Sequence, residues 1–247
     1  MTEFNSASHI QHLDAAIAEL LQLEKRTAAP APIPHQYIGT AVDNAVLFLS
    51  ACANSLDSGA RKITFSQTDN WLSAMKAVHR SFFASLHSVV EAGLTAICEE
   101  RALTAESAQQ RKTDQYLERL SLLVVGNSDA LQLIAKLKKL NGSLRTGFQD
   151  QLNVVLESSA LDETEKRGWR KFFDALGIVR NKSSHPNPAL SDNELERLRE
   201  GGFAVAVSAD GRLVMNPRMY HQAATVVLNF FDAILACGQK GKRVSGS

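Results

Sequence analysis

Apolar residues recur every three or four positions along most of the chain, which is the spacing that places them on one face of an α-helix. The pattern predicts helices over about residues 8–26, 36–56, 69–101, 104–124, 128–140, 143–158, 162–182 and 217–236. The helix at about 69–101 is too long and too apolar for a surface helix, so we expect it at the centre of the fold.

The helical period changes near the C-terminus. Two short apolar runs, 203–207 and 212–215, flank a polar connection that ends in Asp210-Gly211. An Asp-Gly pair between two apolar strands is typical of a β-hairpin. The sequence therefore predicts an all-α fold, a helical bundle with a small C-terminal β-hairpin.

Prolines and glycines suggest how the chain is divided. Three prolines in residues 28–34 remove backbone donors and favour extended structure, so this stretch is predicted to be a linker. We predict N-terminal helices in residues 1–65, a helical domain in 66–237, and a disordered tail rich in Gly, Lys and Ser in 238–247. We expect the first helix to dock separately or to reach a partner.

Composition changes this prediction little, but it excludes several classes of protein. The chain has 27 Lys and Arg against 26 Asp and Glu, a net charge of +1, so any contact with RNA must be local. Three isolated cysteines, with no His/Cys spacing for zinc and no Gly-rich phosphate loop, predict no cofactor and no metal. No secretory signal is evident, and no apolar run approaches the roughly 18 residues of a membrane span. We expect a cytoplasmic protein without membrane contact.

A polar segment near the end of one predicted helix carries the candidate chemistry. It reads Arg-Asn-Lys-Ser-Ser-His-Pro, from Arg180 to Pro186. The residue before a proline is biased away from the helical region, so the helix should end close to Ser183 or Ser184. On an intact helix Arg180 and His185 would lie about 140° apart, at about 100° per residue. A break before Pro186 leaves His185 able to turn back towards the guanidinium.

The residues from Gly177 to Pro186 resemble the Arg-polar-xxx-His motif of HEPN domains, in which Asn, Asp or His usually follows the arginine. The surroundings are similar as well, with a long apolar helix upstream, a short acidic segment at 192–200, a hairpin and a closing helix. The resemblance covers about residues 66–237 and leaves the first two helices outside it.

The resemblance implies a HEPN-like bundle with metal-independent endoribonuclease activity on RNA, of the kind found in toxin–antitoxin and defence systems. It also implies a homodimer whose two motifs face one shared cleft, with an antitoxin or other regulatory protein as a further partner. Two-fold pairing doubles the set of catalytic groups available to one cleft.

The residue types in this motif fit ribonuclease chemistry. RNA supplies its own nucleophile, the 2′-hydroxyl, so the protein has to transfer protons and stabilise charge on phosphorus. His185 titrates near neutrality and suits a general acid or base, and the planar donors of Arg180 match phosphate oxygens. With Asn181 to orient the histidine or a phosphate, these three are the predicted catalytic residues. The locally basic helix adds four predicted substrate-binding residues, namely Arg170, Lys171, Lys182 and Ser184.

Less specific interpretations stay open beside the nuclease. Basic residues near a helix C-terminus also complement the helix dipole, and His185 could cap the last carbonyls. The chain could then be a non-catalytic HEPN-like module that binds RNA or protein. It could also be a scaffold in which Arg180 contacts an intrachain carbonyl or carboxylate. The basic helix face either borders RNA or is simply solvated.

Three polar residues of the long central helix have two interpretations of their own. His87 and Glu91 are spaced i, i+4, and Arg80 precedes His87 by seven residues, so all three share a similar face. They either line the same cleft as Arg180 or form the polar edge of a core helix.

Overall fold

The structure, a computed structural model, describes residues 6–57, 65–103, 108–142, 147–184 and 189–244, and within them the fold is an all-α bundle with one small antiparallel hairpin. This confirms the predicted fold class. The elements in chain order are α1 (Ser6–Leu21), α2 (Glu24–Thr27), α3 (Ile33–Asp57), α4 (Phe65–Glu100), α5 (Ala108–Leu123), α6 (Ser128–Gly142), α7 (Phe148–Glu157), α8 (Glu163–Ser184), α9 (Asp192–Glu200), β1 (Ala206–Val207), β2 (Leu213–Val214) and α10 (Arg218–Val244).

The N-terminal region differs from the prediction in two places. The single helix expected over 8–26 is divided into α1 and the one-turn α2, because the chain turns where Leu23 enters the core with 4% exposure. The predicted linker at 28–34 is also too long, since α3 begins at Ile33 and includes Pro34. Proline is tolerated in the first turn of a helix, where the missing N–H has no intrahelical acceptor.

The C-terminal helix is longer than predicted. A disordered tail was predicted over 238–247, whereas α10 extends to Val244, eight residues beyond the predicted helix end at 236. Gln, Lys and Arg in this stretch are good helix formers, and they outnumber its two glycines. Residues 245–247 lie outside the described part of the chain.

The chain forms two compact units, Met1–Gly93 together with Leu161–Ser247, and Leu94–Ala160. This division differs from the predicted boundary between residues 65 and 66, because the N-terminal helices belong to the same unit as α10. Asp232 of α10 accepts a hydrogen bond from Arg26 at 2.7 Å and lies 2.8 Å from Nε2 of the buried His35. Contacts across some 200 residues of sequence therefore join the two ends of the chain in one unit.

An aromatic cluster forms the centre of the larger unit. Phe82 of α4 stacks on Tyr220 of α10 with ring centroids 4.3 Å apart, and Phe173 of α8 meets Phe230 of α10 edge-on at 4.8 Å. These four side chains are at most 3% exposed. Burying each aromatic ring stabilises the fold by about 1.5–3 kcal/mol, so α4, α8 and α10 form a tightly packed core.

The smaller unit has its own apolar contacts. The helices α5 and α6 pack against each other as a hairpin, with Leu117 and Ile134 buried. Paired side-chain hydrogen bonds between Thr95 and Gln151 join the end of α4 to α7. Several large apolar residues of the hairpin are exposed, among them Leu122, Leu123 and Val125.

Part of α4 differs from the expectation that no apolar run approaches the length of a membrane span. Residues Met75–Glu100 are long and apolar enough to cross a membrane, judged by length and composition alone. Within the protein, Phe83, Leu86 and Val90 of this segment are fully buried, which is also the pattern of a core helix. The cytoplasmic location stays a prediction.

A buried polar pair lies at the edge of the aromatic cluster. The hydroxyl of Tyr220 lies 2.5 Å from Nδ1 of His79, and both side chains are buried. Burial lowers the pKa of His79 to about 4 and raises the pKa of Tyr220. Both groups are therefore neutral at neutral pH.

We expect the His79 imidazole to make the stability of the protein depend on pH. Its pKa is lower in the folded chain than in the unfolded one, so acidification protonates the unfolded chain first and favours unfolding. Between about pH 7 and pH 4 the free energy of unfolding should fall by roughly 3 kcal/mol on this account. Urea denaturation across this pH range measures the effect.

The matched variants are His79→Leu, which cannot titrate, and His12→Ala, which removes an exposed imidazole. The pH dependence should flatten in the first variant and persist in the second. Equal pH dependence in wild type and His79→Leu would contradict the assignment.

Candidate functional site

The helix that carries the predicted motif has a well-defined start. Oδ1 of Asp162 accepts hydrogen bonds from the backbone N–H groups of Thr164 and Glu165, both at 2.8 Å, which is a typical N-cap. The helix α8 is described as far as Ser184, and residues 185–188 lie outside the described part of the chain. The helix end that the proline rule places near Ser183 or Ser184 therefore stays a prediction.

Arg180 is exposed on the last turn of α8. Its Nη1 donates to Oδ1 of Asn181 at 3.2 Å, and Asn181 is exposed as well. Among the described residues Arg180 contacts no carboxylate and no backbone carbonyl, although the scaffold interpretation predicted such a contact. The guanidinium therefore keeps most of its donors available on this surface.

The helix α4 lies beside the end of α8. Nε of Arg80 donates to the carbonyl oxygen of Ser183 at 3.3 Å, which satisfies one of the carbonyls left without a partner at a helix C-terminus. The positive charge of Arg80 therefore complements the dipole of α8, a role that was expected of the basic residues of α8 itself.

His87 lies farther along the same helix and senses the charge of Arg180. Burial lowers the pKa of His87, the positive charge of Arg180 lowers it further, and the carboxylate of Glu91 raises it. The imidazole is therefore mainly neutral at neutral pH. Of the α4 residues that the sequence left between a cleft and a core edge, Arg80 contacts the backbone of Ser183 and His87 is within reach of the charge of Arg180.

The direction of Arg180 follows from the buried stripe of α8. Arg180 comes seven residues after Phe173, which is 1% exposed, and at about 100° per residue the two lie within about 20° on the helix. Gly177 precedes Arg180 by one turn, and no heavy atom lies within 4 Å of the position that a Cβ would take there. The helix therefore borders open space one turn before Arg180, and Arg180 itself is exposed.

Two of the predicted substrate-binding residues lie elsewhere on α8. Lys182 is buried, donates to the carbonyl of Ala189 at 3.1 Å, and pairs with Glu194 of α9 at 2.9 Å. Lys171 pairs with Glu200 of the same helix at 3.2 Å. At about 100° per residue the two lysines lie within about 20° of each other and about 160–180° from Arg180. The geometry separates both from the Arg180 surface.

The predicted acidic segment at 192–200 forms α9, which binds this lysine face. Ser191 and Glu194 form a reciprocal capping box at its start. Burial alone would raise the pKa of Glu194, but hydrogen bonds from Ser191 and Lys182 outweigh it and lower the pKa. Glu194 is therefore ionised at neutral pH and holds Lys182 in place.

The remaining predicted site residues are Arg170, Ser184 and His185, and the structure describes them to different extents. Arg170 is half-buried on α8, about 80° around the helix from Arg180. Ser184 ends α8, and its side chain lies outside the described part. His185 lies outside the described residues altogether, so its pairing with Arg180 stays a prediction. Of the predicted catalytic set, the structure brings Arg180 and Asn181 together.

Sequence reasoning missed the ion pairs that occupy the basic face of α8. The signal was present, because a basic helix followed directly by an acidic helix favours pairing between the two. Asp174 of α8 pairs with Arg197 of α9 in the same interface, with the charges reversed. Within the described ranges no group of three or more His, Cys, Asp or Glu side chains could hold a metal ion.

The buried position of Lys182 predicts unequal effects of two similar substitutions. Lys182→Ala should lower the free energy of unfolding by about 1–3 kcal/mol, because it leaves Glu194 and a carbonyl without their donor. The matched control Lys171→Ala removes a half-exposed pair and should cost about 0–1 kcal/mol. Urea denaturation at neutral pH compares them, and an equal loss in both variants would contradict the structural role of Lys182.

No protein-family model matches the chain, and no curated protein and no solved structure is significantly similar to it. These comparisons neither support nor refute a family. The resemblance to HEPN domains therefore still rests on the residues around Arg180.

Proposed function

We propose that this protein is a metal-independent endoribonuclease in which Arg180, with Asn181 and His185, acts on the RNA phosphodiester. The observation that carries the proposal is the state of Arg180. It is exposed on the last described turn of α8, without a carboxylate or carbonyl partner among the described residues.

The proposed reaction is an internal transesterification. The 2′-oxygen of the ribose bonds to the adjacent phosphorus while the bond from phosphorus to the 5′-oxygen breaks. A general base takes the proton of the 2′-hydroxyl, and a general acid gives a proton to the leaving 5′-oxygen. Arg180 stabilises the negative charge that develops on the phosphoryl oxygens, and its fork of donors suits that role.

The neighbourhood of Arg180 offers a second imidazole for this proton transfer. His87 is mainly neutral at neutral pH, because burial and the charge of Arg180 both lower its pKa, and a neutral imidazole is the form that accepts a proton. The predicted second group is His185, five residues after Arg180. Base and acid roles need groups on opposite sides of the scissile phosphate, and two separate imidazoles, His87 and His185, are proposed to share these roles.

Local charge supports RNA contact at this surface more than the global charge does. The chain carries a net charge of +1, but Arg80 and Arg180 are both exposed around the end of α8. Lys171 and Lys182, in contrast, are paired with α9. RNA contact through two arginines predicts moderate affinity that weakens as salt is added.

The activity is tested by incubating bulk RNA with the protein in excess chelator. Relative to wild type, Arg180→Ala should reduce the cleavage rate by about 10²–10³-fold, because the charge on phosphorus loses its donors. His185→Ala should reduce it by about 10²–10⁴-fold, because a proton carrier is lost. Arg167→Ala, an exposed arginine on the same helix, is the matched control and should cleave like wild type.

Two results would count against the enzyme. Equal cleavage by wild type, Arg180→Ala and His185→Ala would mean that a contaminating nuclease acts. RNA binding without cleavage, weakened by Arg180→Ala and unchanged in Arg167→Ala, would replace the enzyme with the non-catalytic binding module.

The proposed homodimer with a shared cleft has its own test. A mixture of Arg180→Ala and His185→Ala chains, allowed to exchange subunits, should recover roughly a quarter of the wild-type activity, because mixed dimers hold one complete set. The control is each inactive variant alone at the same total concentration. Subunit exchange without any recovery would place a complete site in each chain and contradict the shared cleft.

A further inference from the structure

A cavity of about 340 Å³ lies in the larger unit between α1, α4 and the strand β2. This volume is at the lower end of the range for sites that bind small molecules. The described residues that line it are His9, His12, Leu13, Met75, Lys76, His79, Leu213, Val214, Met215 and Pro217. None of them belongs to the Arg180 surface.

The lining divides into an apolar and a basic part. Six of the ten side chains are apolar, and the other four are three histidines and a lysine. The described lining includes no carboxylate. Such a surface favours a ligand with a hydrocarbon body and one negative charge, because the cavity offers contact area to the first and a cation to the second.

His79 supplies a polar atom from the buried wall. Its Nδ1 lies 2.5 Å from the hydroxyl of Tyr220, and we assign the hydroxyl as the donor because the described residues offer it no other acceptor. The neutral imidazole then carries its own hydrogen on Nε2. In the described part of the chain this N–H has no acceptor, and it belongs to a side chain that lines the cavity and is only 6% exposed.

Lys76 supplies the charge. It precedes His79 by three residues on α4, so the two side chains share one face of the helix. Lys76 is exposed and lines the cavity, and it has no ion pair with any described carboxylate. His12 adds an imidazole whose ring is oriented by a 2.6 Å contact between Nδ1 and the carbonyl of Ser8.

We propose that this cavity binds a small apolar carboxylic acid. Its carboxylate lies between the Lys76 ammonium and the Nε2–H of His79, and its hydrocarbon body lies against Leu13 and Leu213, both 3% exposed. A carboxylate fits better than a phosphate ester, because one lysine and one neutral donor satisfy a single charge but leave a dianion undercompensated.

Calorimetric titration with decanoate, decanol and decylamine tests the proposal. Decanoate is expected to bind with a dissociation constant below about 1 mM, decanol more weakly, and decylamine not measurably. Lys76→Ala should weaken decanoate binding by about tenfold and decanol binding by less than about twofold, since only the carboxylate uses the ammonium. The exposed Lys25, outside the cavity, provides the control Lys25→Ala, which should bind decanoate like wild type.

A second variant tests whether the ligand binds inside the cavity. Val214 is 44% exposed and lines the cavity, so Val214→Trp should fill part of it without disturbing the core. Loss of decanoate binding in this variant, with an unchanged far-ultraviolet circular dichroism spectrum, supports the site. The proposal is overturned if wild type does not bind decanoate, if decylamine binds equally well, or if both cavity variants bind like wild type. Arg180→Ala should bind decanoate normally, so this result is independent of ribonuclease activity.

Discussion

The packing of aromatic rings between α4, α8 and α10 is the constraint on which the rest of the larger unit depends. Phe173 of α8 is locked against Phe230, and Phe82 of α4 against Tyr220, so neither helix can rotate about its axis without losing buried area. Because Arg180 lies two turns after Phe173 and within about 20° of it around α8, this packing fixes the direction in which Arg180 leaves the helix.

The central helix α4 serves two surfaces within the five residues from Lys76 to Arg80. Lys76 and His79 line the apolar cavity, whereas Arg80 reaches the last turn of α8 through the carbonyl of Ser183. His87 continues towards Arg180 along the second surface. A helix can supply both because residues one position apart point about 100° away from each other, so neighbours such as His79 and Arg80 face different environments.

The basic residues of α8 lie on two different faces of the helix. The number of basic residues therefore overstates the positive charge that is available to a ligand. Lys171 and Lys182 neutralise acidic residues of α9, so they hold the two helices together. Arg180, on the opposite side, lacks a carboxylate partner among the described residues. A locally basic helix is thus only partly available to an anionic ligand, and the positive potential that RNA would meet is concentrated at the helix end.

The sequence by itself determined what depends on neighbours along the chain. Apolar periodicity located the helices and the Asp-Gly pair located the hairpin, because each of these acts over a few residues. Tertiary structure alone decided that the N-terminal helices join α10, that Lys182 is buried against α9, and that Arg80 contacts Ser183 near the end of the described part of α8. Those contacts join residues that are 12 to some 200 positions apart, so they depend on how complete helices pack, and periodicity in one segment carries no information about its partner.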